Sequence, residues 1–165
     1  MKQGKLPEIN IEPTQQDKII DALSMVLLAF LFLLPLLFYS QLPERMPSHF
    51  NAAGEPDAYS SKSSIWIMPV VGLITYFIFT FVHKMDPSNF SYPTRITPEN
   101  AESKYRNTLQ LLRWTKLVIM VLFVYLVWMS IRIGLGSAAG LHTWFIWAFL
   151  AAMLIPIIYF GFIKK

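Results

Sequence analysis

Three stretches of this chain run 20 or more residues without a single Asp, Glu, Lys or Arg. They are Ala22–Pro43, with 22 positions, Ser63–Val82, with 20, and Thr143–Ile163, with 21. A fourth, Leu117–Ile131, has 15 positions between Lys116 and Arg132. A bilayer core of roughly 30 Å takes about 20 apolar residues in a helix, so three runs reach across directly. The fourth reaches across if its flanking cations snorkel or if the helix continues through Ile133. The chain of 165 residues is 55% hydrophobic and only 15% charged, which no ordinary soluble domain of this length matches. The reading is an all-α integral membrane protein with four transmembrane helices.

Charge placement orients it. Lys2, Lys5 and Lys18, then Lys84, Arg95, Lys104, Arg106, Arg113 and Lys116, then Lys164 and Lys165 make eleven cations on one side. Arg45, Lys62 and Arg132 make three on the other. The positive-inside rule then places both termini in the cytoplasm of a cell inner membrane and turns 42–62 and 134–142 outward. This also explains the net charge of +4 without nucleic acid, since the middle loop lacks interleaved basic and aromatic residues. Glu8, Glu12 and Asp17 precede the first run and no small-residue cleavage site follows it, so helix 1 reads as an anchor and not a signal peptide.

Local signals divide the chain into a tail (1–14), a membrane domain of three helices (15–133), and an outer turn with a fourth helix (134–165). Residues up to Pro13 read as a mobile or surface-lying tail. Thr14 and Asp17 have the spacing of a capping box, which predicts helix 1 over about Gln15–Tyr39, kinked at Pro35. Helix 2 is expected from Ser63 or Ser64 to Val82, with Gly72 admitting a close neighbour and Trp66 at the interface. Pro87, Pro93 and Pro98 break up the loop that follows. Thr97-Pro98-Glu99 has the order of a cap, a first-turn proline and an acid. From there to Gly134 no breaker occurs, which predicts one helix of about 36 residues with Leu109, Leu112, Leu117 and Met120 on one face. Helix 4 is expected over His142–Phe162, with Pro156 inside and Ala148 and Ala152 as its packing face.

The chemistry gathers in Leu42–Lys62. Pro43, Pro47, His49, Asn51, Gly54, Asp57 and Lys62 stand there, with Arg132 facing them from the end of helix 3. Arg132 either pairs with Glu55 or Asp57 and pins the loop, or snorkels to water. His49 lies close to Asn51, Glu55 and Asp57, yet no HxH or HxxxH spacing supports a metal, and a backbone hydrogen bond in a turn is the preferred reading. Asn51-Ala52-Ala53-Gly54 is turn chemistry. There is no GxSxG, no phosphate loop and no cysteine, so no catalytic residue, metal or cofactor is assigned.

Leu42-Pro43, Pro47, His49-Phe50-Asn51, Gly54, Asp57 and Lys62 follow the pattern LPxxxPxHxNxxGxxDxxxxK. This resembles the bacterial membrane family known as domain of unknown function 1648, also found at the N-terminus of SdpI-type immunity proteins. The likeness covers about residues 20 to 120, including Lys84-Met85-Asp86-Pro87. Tyr59-Ser60-Ser61 replaces an expected glycine-bearing stretch, and the immunity members continue with further membrane segments. The resemblance implies the fold and the outward loop, and no catalytic residue. The expected function is non-enzymatic sensing or binding at the outer face. The expected partners are membrane lipids and a peptide toxin or another membrane protein. A small transporter or transporter subunit is the alternative.

Overall fold

The computed structural model describes residues 9–92 and 94–164. The expectations for residues 1–8, Pro93 and Lys165 lie outside the described residues. Four helices carry the fold: α1 (Gln15–Phe38), α2 (Ile67–Val82), α3 (Ala101–Gly134) and α4 (Thr143–Ile158), the last continuing as a π-helical turn, Tyr159–Ile163. Each of the four spans is long and apolar enough to cross a membrane. Leu36, Phe77, Phe81 and Trp147 point outward from them, an apolar surface that only lipid covers without penalty. The protein is a multi-pass membrane protein. The expected 42–62 loop is not irregular: it holds β1 (Arg45–Phe50) and β2 (Pro56–Ser61), paired antiparallel.

The start of α1 is as its sequence dictates. Asp17 N donates to Thr14 Oγ1 at 3.2 Å, and Asp17 Oδ2 accepts from Thr14 N at 2.9 Å, closing the capping box. The starts of α2 and α3 differ. Ser63 and Ser64 fall inside a 3₁₀ turn, Lys62–Trp66, and α2 begins after it without a side-chain cap. α3 begins at Ala101, because Asn100 Oδ1 accepts from Thr97 N at 2.9 Å and folds 97–100 into a turn of its own. The single long helix stands, with 34 residues, about 51 Å at 1.5 Å per residue.

The buried face of α3 is not the apolar stripe expected. It runs through Tyr105, Leu109, Arg113, Lys116, Met120 and Val127, while Leu112 and Leu117 are only partly buried. Two cations therefore lie on the packed face, Lys116 with 2% of its surface exposed and Arg113 with 9%. They meet Asp17 and Asp21, one turn apart on α1. Lys116 Nζ donates to Asp21 Oδ1 at 2.8 Å and Arg113 Nε to Asp21 Oδ2 at 3.0 Å. Arg113 also stands 3.7 Å from Asp17 Oδ1. The Lys116 ammonium lies 5.0 Å from the centroid of the Tyr76 ring of α2. Lys116 thus does not snorkel. Buried charge is tolerated here because the four charges sum to zero within contact range.

Above this layer, Gly72 of α2 faces Leu31, which is fully buried, and a β-carbon there would collide with the Leu31 side chain. This is the close approach the sequence suggests. Leu31 belongs to a core with Leu42, Met46, Ile65, Val127 and Ile131, which lies between the helices and the hairpin. At the opposite end, Ile96, Ala101 and Tyr105 pack with Ile9 and Ile11. α4 lies against α3. Phe145, Phe149, Ala152 and Pro156 are its covered side, whereas Ala148 is exposed. Its end is tied by Asn107 Nδ2 donating to Lys164 O at 2.8 Å and Lys164 Nζ to Gln110 Oε1 at 2.7 Å.

His83, just past α2, sets its two ring nitrogens 2.7 Å from Phe79 O and 3.1 Å from Leu109 O. Burial holds its pKa below the usual histidine value, and Arg113 and Lys116 push in the same direction, against the two carbonyls. The folded state therefore takes up its proton less readily than the unfolded chain. Stability from this site is complete above the unfolded histidine pKa and falls as pH drops below it. Melting in detergent between pH 7.5 and pH 5 should show that decline, and His83→Gln should flatten it. Arg113→Ala, which leaves the buried Asp17 without its cation while Asp21 keeps Lys116, should cost about 3–5 kcal/mol in unfolding titrations. A loss no larger than that of an exposed lysine would contradict the pairing.

Candidate functional site

The hairpin is built by its turn. Asn51 Oδ1 accepts from Ala53 N at 2.9 Å and from Glu55 N at 3.0 Å, and Asn51 N donates to Glu55 O at 2.9 Å. One side chain thus organises the whole reversal, which is the work asparagine does in tight turns. Gly54 completes it at φ +83°, where a side chain would be strained. The strands pair Arg45 with Ser61, Met46 with Ser60 and Pro47 with Tyr59. The register then shifts on both sides of His49, so that His49 faces Ala58 and Phe50 faces Pro56. Such bulges re-aim side chains. Here His49 Nδ1 comes to 2.6 Å from Asp57 Oδ1 on the exposed face. This replaces the backbone hydrogen bond expected for His49.

Three contacts hold the hairpin to the helices. Met46 is fully buried beneath it and rests on Gly134 of α3, where a β-carbon would stand 2.6 Å from the Met46 sulfur and 3.5 Å from Pro43 Cδ. Lys62 closes the base: its backbone N donates to Glu44 O at 2.9 Å and its ammonium lies 4.8 Å from the centre of the Tyr39 ring. The turn docks on the α3–α4 connection through backbone alone. Leu141 N donates to Gly54 O at 2.7 Å, and a β-carbon at Gly140 would stand 2.7 Å from the same oxygen. Pro47 is buried and borders a cavity of about 120 Å³ with Ile65, Met68 and Val127.

Of the predicted residues, Pro47, His49, Asn51, Gly54 and Asp57 lie in the hairpin, and Pro43 and Lys62 flank its base. Arg132 does not join them. Its Nη2 donates to Ser137 O at 2.9 Å, closing the end of α3, and it forms no ion pair among the described residues. Of the two acids expected to hold it, Asp57 is engaged by His49, and Glu55 Oε2 accepts from Asn51 Nδ2 at 3.2 Å. The anchor is glycine backbone, which carries no charge signal to find. His142 lies at the start of α4, where Tyr125 Oη stands 3.0 Å from its Nδ1 and ties that helix to α3. Asp21 escaped the sequence reading because it sits one residue before the first apolar run. Its i, i+4 spacing from Asp17 was the available signal.

The exposed chemistry is polar and shallow. Ser48, His49, Asp57, Tyr59 and Ser60 face away from the bundle. All but the first residue of β2 are exposed, and its far edge has no partner strand among the described residues. The arrangement presents hydrogen-bonding groups on an open face.

Gly140→Val should free the turn, raising amide exchange of residues 51–55 by at least tenfold while the helices stay protected. Arg132→Ala should leave that exchange unchanged. The reverse order would show that charge, not backbone, seats the hairpin.

A family model described as Domain of unknown function (DUF1648) matches residues 26–73, from within α1, through the hairpin, into α2. The resemblance read from the loop motif is borne out over that stretch. An uncharacterized protein of Archaeoglobus fulgidus is 41% identical over 80 residues, covering 47% of this chain. The match spans 44% of that protein's length, less than half of it. No solved structure matches. The stretch from α1 through the hairpin into α2 is thus similar to a domain family of unknown function.

Proposed function

We propose that this is a non-enzymatic membrane protein that binds an extended peptide or protein segment through the free edge of its hairpin. The observation that carries the reading is β2. It is exposed from Asp57 to Ser61, yet the hairpin is seated on the bundle by Met46, Lys62 and Gly54. A fixed strand edge offers unpaired backbone donors and acceptors, the usual means of adding a strand from another chain. His49, Asp57 and Tyr59 would select what docks there. The eleven-to-three charge asymmetry supports an outward hairpin and cytoplasmic termini in the cell membrane. A peptide toxin or a neighbouring membrane protein fits this edge better than a lipid headgroup, which has no strand to add. α1 links the hairpin base to the buried charges at the other end, a direct route for a signal.

The transporter reading draws on one observation, the cluster of four charges, three of them buried. They are paired with one another, which suits a clamp better than a path.

A photoreactive amino acid replacing Tyr59 in cells should give a discrete adduct, and Ser61→Pro, which removes an edge donor at a φ of -62° that proline adopts, should abolish it. An adduct that survives the proline, or none from Tyr59 while the helices remain intact, would overturn edge pairing. Substrate flux in liposomes holding the purified protein alone would favour the transporter.

A further inference from the structure

A second site lies at the opposite end of the molecule, in a cavity of about 290 Å³ between α3, the π-helical end of α4 and the loop before α3. Its lining is of two kinds: Lys104, Ser91, Thr94 and Thr108 are polar, and Leu111, Ile157, Phe160 and Phe162 are apolar. On α3 the order is Lys104, Thr108, Leu111, one face of successive turns running from polar to apolar. Lys104 is partly exposed, and it forms no ion pair among the described residues. Among the described residues, no carboxylate lines the cavity.

Membrane depth gives this gradient a meaning. Counting back from Gly134, about 20 residues of helix cross the hydrocarbon core, which puts its boundary near Leu111–Lys116. Leu111 then lies at the edge of the acyl region. Lys104 lies two turns farther out, among the headgroups. α4 ends at the same level, with Phe162 and Ile163 exposed. A cavity that is cationic and hydroxylated at headgroup depth, and apolar just below, matches a molecule with an anion at one end and a hydrocarbon chain at the other.

We infer that this cavity holds one anionic phospholipid, its phosphate at Lys104 and the hydroxyls of Ser91, Thr94 and Thr108, its acyl chain along Leu111, Ile157 and Phe160. The lipid wedges between α3 and the end of α4, beside the Asn107–Lys164 hydrogen bond that holds them together. The site is independent of what the hairpin binds.

Native mass spectrometry of the full chain in neutral detergent, titrated with phosphatidylglycerol or phosphatidylcholine of identical chains, tests this. The wild type should retain one phosphatidylglycerol in clear preference to phosphatidylcholine. Lys104→Gln should cut that preference roughly fivefold, the value of one lysine near an anionic headgroup, while Lys84→Gln should not. Gly161 borders the cavity and a β-carbon there meets no atom within 4 Å. Gly161→Leu should therefore lower retention of both lipids without lowering the melting temperature. If that variant unfolds, Lys104→Gln decides alone. Equal retention of the two lipids by the wild type, or an unchanged preference in Lys104→Gln, would overturn the assignment. So would displacement of the lipid by equimolar glycerol phosphate, which would mark a site for a soluble phosphate.

Discussion

Two carboxylates of α1 and two cations of α3 compensate one another where these helices meet, and the remaining packing is arranged around that layer. Charges in such a place are costly unless each finds an opposite within reach. Once Asp21 meets both Arg113 and Lys116, the register of α1 against α3 is set, because a slip of one residue would turn a charge toward apolar side chains. Gly72 can then bring α2 onto Leu31, and Tyr76 covers the Lys116 ammonium. The helices thus join by charge at one end and by close packing in the middle.

The hairpin uses a different physical device at the other end. A β-hairpin of two strands is marginal by itself. This one gains its support from below, where Met46 fills the space Gly134 leaves, and from the side, where Gly54 and Gly140 let two backbones touch. The exposed face is thereby left without structural duties. His49, Asp57 and Tyr59 can vary in what they recognise while the glycines, Asn51 and Met46 keep the shape.

Much of this was legible beforehand. The charge-free runs give the spans, since lipid leaves unsatisfied backbone no alternative to a helix. The Thr14–Asp17 spacing gives the start of α1, and the unbroken stretch before Gly134 gives one long α3. The expected Arg132 anchor failed for a reason that recurs. Opposite charges in a sequence advertise pairing without naming the partner, and Asp57 was nearer to His49 across the bulged strands. The strands themselves were hidden because proline, glycine and asparagine in 42–62 describe a turn, and the short segments flanking it carry little alternation.

What the sequence by itself determined is what depends on chain-local physics: which segments enter the membrane, where a helix can start, and where the chain must reverse. The tertiary structure decided what depends on distance across the fold. It turned Lys116 from a flanking cation into a buried partner of Asp21, moved Arg132 from anchor to helix end, and gave the anchoring to backbone at Gly54, Gly140 and Leu141. Side-chain composition records the first set directly. The second is set by which atoms arrive within about 3 Å of one another, and no residue carries that in its own identity.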